Sequence, residues 1–281
     1  MPPVNIVSDA ISISNFISGM IVVVREEYCA KKNLREKIQI LQRKFTRGDW
    51  SLLDCHAHVL PNVDDGSGSI DESLSLLNML KEQSVDTVVS TSHFYANDER
   101  IDSFIERRQI AYEKLCNSLS ENSPEIILGA EVYYYSGISR MEELKLLRIQ
   151  NSKVLLLEMP MSKWSDYTVR EVVEIANSRD FKVLIAHIDR YMDFQSDKVL
   201  DHLLGNGIMM QANASFFNDF FKKRKALKML NEGAIHAIGS DCHNISSRPP
   251  KIGSAFEVIQ KKFGKRYLRS MNDFGMSMLG K

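Results

Sequence analysis

From about residue 51 onward, short strand-like apolar runs alternate with stretches of helical periodicity, and this alternation leaves few folds open to the chain. The runs are SLLDCH (51–56), VDTVVSTS (85–92), EIILGA (125–130), KVLLLE (153–158), FKVLIAH (181–187), GIMMQAN (207–213) and AIHAIGSD (234–241). Their near-continuous hydrophobicity fits strands covered on both faces, as in a parallel sheet flanked by helices. Seven strands with connecting helices predict a barrel-like α/β domain over 51–281, with an open doubly wound sheet as the alternative.

The intervening helices carry their own signals. Ser69 and Glu72 form a Ser-x-x-Glu capping box ahead of Leu74, Leu77 and Leu80, which share a helix face. Ile101, Phe104, Ile105, Arg108, Tyr112 and Leu115 mark the next helix, and further helices are expected over 167–178, 196–204, 219–232 and 253–263. Residues 1–50 do not join the pattern and form an N-terminal extension. Within it, Leu34, Ile38, Leu41 and Phe45 recur at helical spacing among Lys and Arg, which predicts a basic amphipathic helix, packed on the domain or docking a partner or membrane surface. The apolar stretch Ile11 to Val24 is too short to span a bilayer and lacks the basic flank of a signal peptide.

Charge excludes one class of partner. Thirty-six basic and thirty-six acidic residues cancel, so no global field draws the chain to nucleic acid. Cys29, Cys55, Cys116 and Cys242 lie far apart with no Cys-x-x-Cys pair, which argues against a zinc knuckle or disulfide framework and for a reducing cytoplasm.

The chemistry-bearing residues gather at the carboxyl ends of the predicted strands. Alternate residues of a strand share a face, so in LLDCHAHVL the side chains of Asp54, His56 and His58 point one way and Leu53, Cys55 and Ala57 the other. His93 ends VVSTSH, Glu131 ends IILGAE, His187 ends VLIAH, and Asp241 with His243 ends AIGSDCH. That end of a barrel carries the active site. Mixed His and carboxylate donors at several strand ends suit a cluster of more than one metal ion, which polarises phosphate and generates hydroxide from water. Arg190 in HIDRY and Arg248 in SSRPP supply planar donors that match phosphate oxygens. Glu158 also ends its run, and supporting and structural roles both stay open for it. His202, inside a helix, and His236, early in its strand, are expected to be structural.

One stretch permits a rival chemistry. In SDCHNISSRPP (240–250), Cys242 and Arg248 make the Cys-x5-Arg spacing of thiolate phosphatases, whereas Asp241 and His243 read as metal ligands at i and i+2. A phosphate loop needs small residues whose backbone N–H groups converge on the anion, and HNISS has no glycine. If the strand continues, Cys242 points away from the ligands. The metal reading is therefore preferred.

Taken together, HAH with DDGS (56–67), STSH (90–93), GAEVYY (129–134), AHIDRY (186–191) and SDCHN followed by SRPP (240–250) resemble the bacterial tyrosine-protein phosphatases of the polymerase and histidinol phosphatase (PHP) type. These are manganese-dependent enzymes that dephosphorylate bacterial tyrosine kinases controlling capsule and exopolysaccharide synthesis. The resemblance covers about residues 51–275 and implies a distorted (β/α)7 barrel with a three-metal Mn2+ centre. It implies that His56, His58, Glu131 and Asp241 hold one ion, Glu131 and His187 a second, and Asp65, His93 and His243 a third, while Arg190 and Arg248 grip phosphate. Spacing alone does not separate Asp64 from Asp65, so the role of Asp65 rests on the resemblance. A small-molecule phosphatase such as histidinol phosphatase is the alternative within the superfamily, and a catalytically silent metal-binding module the alternative outside it. GAEVYY and SRPP favour the tyrosine phosphatase type. The first fifty residues match nothing in the family and leave homo-oligomer formation open.

Overall fold

The computed structural model describes residues 52–281, so the basic helix expected in the extension lies outside the described residues. Strands β1 (Leu52–Ala57), β2 (Val85–Ser90), β3 (His93–Phe94), β4 (Glu125–Leu128), β5 (Glu131–Tyr133), β6 (Val154–Glu158), β7 (Lys182–Ile185), β8 (Met209–Asn213) and β9 (Ala237–Gly239) are all parallel to their neighbours. They pair in the orders β1-β2-β4 and β3-β5-β6-β7-β8-β9. Seven of the nine segments fall on the seven expected runs, and two lie just beyond them. The second run ends its strand at Ser90, and after a break at Thr91–Ser92 the unexpected short strand β3 follows; the third ends at Leu128, and after a break at Gly129–Ala130 the unexpected β5 follows.

Backbone bonds at these breaks join the two sheets into a curled, distorted barrel rather than an open doubly wound sheet. On one side the ladder runs on across the breaks, Gly129 N donating to Ser90 O at 2.8 Å and Glu131 N of the second sheet to Thr91 O at 3.2 Å. On the other, Asp241 N donates to His56 O at 2.8 Å, His58 N to Cys242 O at 2.9 Å, and Ala57 bridges Cys242. The last strand approaches the first so closely that a Cβ at Gly239 would sit 2.4 Å from that of His56, which explains a glycine there.

The helices are α1 (Ile70–Glu82), α2 (Ile101–Cys116), α3 (Asp166–Asn177), α4 (Asp197–Gly205), α5 (Ala214–Asn218), α6 (Lys223–Asn231), α7 (Ile252–Phe263) and α8 (Lys265–Met278). Ser69 caps α1 as expected, its hydroxyl accepting from Glu72 N at 3.1 Å, while the Glu72 carboxylate reaches back to Gly68 N at 2.9 Å. Leu76, Leu77 and Leu80 form the buried stripe of this helix, with Leu74 at its half-buried edge. The helix expected from 219 begins instead at Lys223, because Asp219 turns the chain first: its side chain accepts from Phe221 N at 2.8 Å and Lys222 N at 2.9 Å.

Leu53 and Cys55 of β1, Val89, Ile127, Leu156, Leu184, Met209 and Ala237 make one apolar cluster that draws on strands from both sheets, and Met278 and Leu279 at the end of α8 join it. Burying so much apolar area on rigid strands gives the strand ends fixed positions.

Candidate metal centre

All eight residues expected as ligands meet at the carboxyl ends of the strands. His56 Nε2 lies 3.1 Å from His58 Nε2, and Glu131 Oε2 lies 3.0 Å from the first and 3.2 Å from the second. Asp241 Oδ1 stands 3.7 Å from both ring nitrogens. The other oxygen of Glu131 is 2.8 Å from His187 Nε2, so one buried carboxylate serves two groups of donors. Asp65 Oδ1 is 3.5 Å from His93 Nε2 and 3.4 Å from His243 Nε2. His58 joins those three within the same small volume, a fourth donor beyond the expected set.

The neighbouring carboxylates now have distinct places. Asp64 turns inward, accepting from His58 Nδ1 at 2.7 Å, His93 N at 2.8 Å and Gly66 N at 3.0 Å. Asp65 keeps a largely exposed side chain aimed at the histidine pair. Gly66 permits the turn, since a Cβ there would fall 2.5 Å from that of His58. Glu158 is drawn in more closely than its sequence position suggested, with Oε2 at 3.6 Å from His93 Nδ1 and Oε1 at 3.5 Å from His187 Nε2. Asp54, although on the strand face of His56, instead accepts from Ser240 N at 2.8 Å, and its burial raises its pKa to about 6.

Two residues that carry no charge were not legible beforehand. Gln211 Oε1 accepts from the backbone N of His187 at 2.6 Å, which fixes the orientation of the amide, and from His56 Nδ1 at 3.2 Å. Gln211 Nε2 then donates to Asn213 Oδ1 at 3.0 Å, and Asn213 Nδ2 to Asp241 Oδ2 at 2.8 Å. Spaced i and i+2 on β8, the two amides tie His56, His187 and Asp241 into one frame.

These contacts decide whether cations fit. Gln211 and Asp64 accept from the Nδ1 atoms of His56 and His58, which leaves both Nε2 atoms facing each other and a carboxylate oxygen. Positive charge must lie between them, as a proton or as a cation. Without a cation the carboxylates recruit protons. Burial opposes a charged His58, but Asp64 and then Glu131 outweigh it and raise its pKa well above the usual range. Burial likewise opposes charge on His187, yet Glu131 and Glu158 lift it to about 9. His243 goes the other way, down to about 4, through burial and the neighbouring His58. Its Nε2, His93 Nδ1 and Glu158 Oε2 are buried with no hydrogen-bond partner. Orphaned donors and acceptors converging on negative carboxylates are what divalent cations would satisfy.

Arg190 and Arg248 flank the cluster. Both pair with Asp241, Arg248 Nη2 at 2.8 Å from Oδ1, and both keep about a third of the side chain exposed. Cys242 lies between the ligands but is fully buried, and burial, with the charge of Asp54, pushes its thiol far above the ordinary range. β9 ends at Gly239 rather than running on through Cys242, and Asp241 adopts a left-handed φ of 54°. That bend, not simple alternation, separates the thiol from the ligands. A buried, protonated thiol is no nucleophile, so the Cys-x5-Arg reading fails. His202 is exposed on α4, and His236 Nδ1 accepts from Met210 N at 3.2 Å; neither is among the groups placed to hold a metal.

Known proteins are similar to this chain. The chain is 30% identical over 240 residues to the tyrosine-protein phosphatase CpsB of Streptococcus pneumoniae, covering 78% of this chain and 94% of that one. It is 26% identical to the tyrosine-protein phosphatase YwqE of Bacillus subtilis over 76% and 85% of the two chains. Among solved structures, one from the work on YwqE and on CpsB of S. pneumoniae, described as unique metal-dependent tyrosine phosphatases, superposes with a TM-score of 0.71. Its identity is 21%, over 82% of this chain and 94% of that one, a likeness that speaks for the fold. The family model for capsular polysaccharide synthesis proteins CpsB/CapC matches residues 52–274, which holds every strand and every candidate ligand described above. The chain therefore belongs to the CpsB/CapC family of capsular polysaccharide synthesis proteins.

Proposed function

We propose that the chain is a metal-dependent protein-tyrosine phosphatase working with Mn2+ in the cytoplasm. Its substrate is a phosphotyrosine protein, a bacterial tyrosine kinase that governs capsule or exopolysaccharide synthesis. The observation that carries the reading is the convergence of His56, His58, Asp65, His93, Glu131, His187, Asp241 and His243 on one mouth with two arginines beside it. His56, His58, Glu131 and Asp241 would hold one cation, Glu131 and His187 a second, and His93, His243 and Asp65 a third, with Glu158 adjoining. Divalent cations there supply the Lewis acidity that polarises a phosphate ester and activates water.

The chain's own groups do the rest. Asp64 and Gln211 hold the rings of His58 and His56 by their Nδ1 atoms, so the Nε2 lone pairs face the centre. Arg190 and Arg248, now paired with Asp241, present forked donors to the phosphoryl oxygens as charge builds on them. No covalent enzyme intermediate is required, since the cysteine between the ligands is sequestered. Free thiols at Cys55, Cys116 and Cys242 suit a reducing compartment.

The test is a panel of phosphotyrosine peptides, phosphoserine peptides and histidinol phosphate, assayed after exhaustive chelation and again with Mn2+. Turnover of the phosphotyrosine peptides only when Mn2+ is restored is the expected result. Full activity in chelator would overturn the metal centre, and preference for histidinol phosphate would overturn the substrate class.

A further inference from the structure

Two phenylalanine pairs stand four residues apart in the stretch SFFNDFFKKRK and meet opposite fates. Phe216 and Phe217, on α5, are buried, whereas Phe220 and Phe221 are 83% and 89% exposed. The exposed pair packs edge to face on itself, with ring centroids 5.3 Å apart. This is not a frayed end. Buried Phe216 and Phe217 anchor the chain before it, Ala226 and Leu230 of α6 anchor it after, and the Asp219 side chain closes the turn onto Phe221 N and Lys222 N. Holding two large apolar side chains in water on an ordered turn is unfavourable unless something covers them.

The residues on the C-terminal side of the pair define the chemistry of the cover. Lys222, Arg224, Lys225 and Lys228 are exposed and Lys223 half-exposed, and the acidic group paired among them is Glu232, 3.8 Å from Lys228. With both rings more than four-fifths exposed beside a basic run, the tip suits a flat anionic surface better than a folded groove. It also lies on the same face as the metal centre, for Asn213, which holds Asp241, is the last residue of β8 and leads directly into α5. Other loops leaving carboxyl strand ends there carry exposed Met161, Phe194 and Ile245.

We propose that the Phe220–Phe221 tip and the basic run from Lys222 to Lys225 dock the protein onto an anionic phospholipid bilayer. The two rings enter the boundary between headgroups and acyl chains, while the ammonium and guanidinium groups lie among lipid phosphates. Two rings and a short basic run make a peripheral, reversible contact, and no helix among the described residues is long and apolar enough to cross a membrane. Docking this way sets the catalytic face at the membrane surface, within reach of phosphotyrosines held close to it. The proposal does not depend on the catalytic reading, because vesicle binding is measured without turnover.

The experiment is co-sedimentation of the full-length chain with vesicles of phosphatidylcholine alone or mixed with phosphatidylglycerol. The first fifty residues carry a basic stretch of their own, so the decisive comparison is between full-length chains differing only at the tip. Wild type is expected to bind the mixed vesicles, less so as ionic strength rises, and to ignore phosphatidylcholine. Phe220→Ser/Phe221→Ser is expected to lose binding by a factor on the order of ten or more, and Lys222→Glu/Lys225→Glu by a similar factor. Both variants should melt like wild type and hydrolyse a soluble phosphotyrosine monoester normally. Absence of wild-type binding, or equal binding by the serine variant, overturns the proposal. So does unchanged vesicle binding with weakened kcat/KM on a phosphotyrosine protein alone, which would make the tip a protein-docking surface.

Discussion

Replacing Gln211 with leucine removes two acceptor contacts at one stroke, to His187 N at 2.6 Å and to His56 Nδ1 at 3.2 Å, together with the donor to Asn213. The backbone N–H of His187 then stays buried without that acceptor, which costs about 1–3 kcal/mol. For a chain of this size that corresponds to a fall in melting temperature of about 2–12 °C, taking roughly 2–4 °C per kcal/mol. His56 responds differently. Freed of its acceptor, the ring can carry its proton on Nε2, which turns the lone pair away from the centre. Mn2+ affinity should therefore drop about 10–100-fold, as it does when an outer partner of a ligating histidine is lost. Gln211→Glu keeps both acceptor contacts in the same volume and should retain most of the affinity. The assays are calorimetric titration of chelator-treated full-length protein with Mn2+ and thermal melting without metal. A folded Gln211→Leu protein that binds Mn2+ like wild type would refute the role assigned to the amide.

Two other substitutions separate the chemistries. Cys242→Ser should keep its turnover and metal content and lose about 1–3 kcal/mol of stability from a poorly partnered buried hydroxyl, and iodoacetamide should leave the native enzyme active; inactivation by either would restore the thiolate mechanism. Arg248→Lys should fold and bind metal normally yet lose about tenfold to a thousandfold in kcat, because ammonium cannot reproduce a forked contact with phosphate; near-normal steady-state kinetics would place Arg248 outside the reaction.

The strands were legible because parallel strands buried on both faces write continuous apolar runs, whereas the breaks at the ends of two runs, with the short strands β3 and β5 beyond them, were not. Thr91–Ser92 and Gly129–Ala130 look like ordinary strand residues, and the splits come from backbone bonds between distant segments, such as Glu131 N to Thr91 O. Helix α8 left no clear signal because its buried stripe is Leu268, Asn272, Gly275 and Met278. Asn272 faces inward to accept from Leu53 N at 2.8 Å, and Gly275 lets the helix approach Leu53, so polar and small residues occupy positions where periodicity looks for apolar ones. At the site, titratable residues at strand ends announced themselves. Gln211 and Asn213 did not, for neutral amides within a strand read as filler until their partners are seen. The Asp64–Asp65 choice likewise depended on a turn around Gly66 that spacing cannot supply.

The seam between the first and last strands is fastened by Asp241 N to His56 O and His58 N to Cys242 O, and these bonds join segments from opposite ends of the described chain. Such long-range pairing carries a large loop-closure cost and is a late event in folding. The three side chains riding on it, His56, His58 and Asp241, are the same ones proposed to share a cation. Closing the ring and loading the ion are then thermodynamically one latch, each favouring the other by mass action. The amide hydrogens of His58 and Asp241 become its reporters. Their exchange with solvent deuterium should slow steeply as Mn2+ is added, while amides in the middle of β6 and β7, on the far side of the ring, keep the same rate.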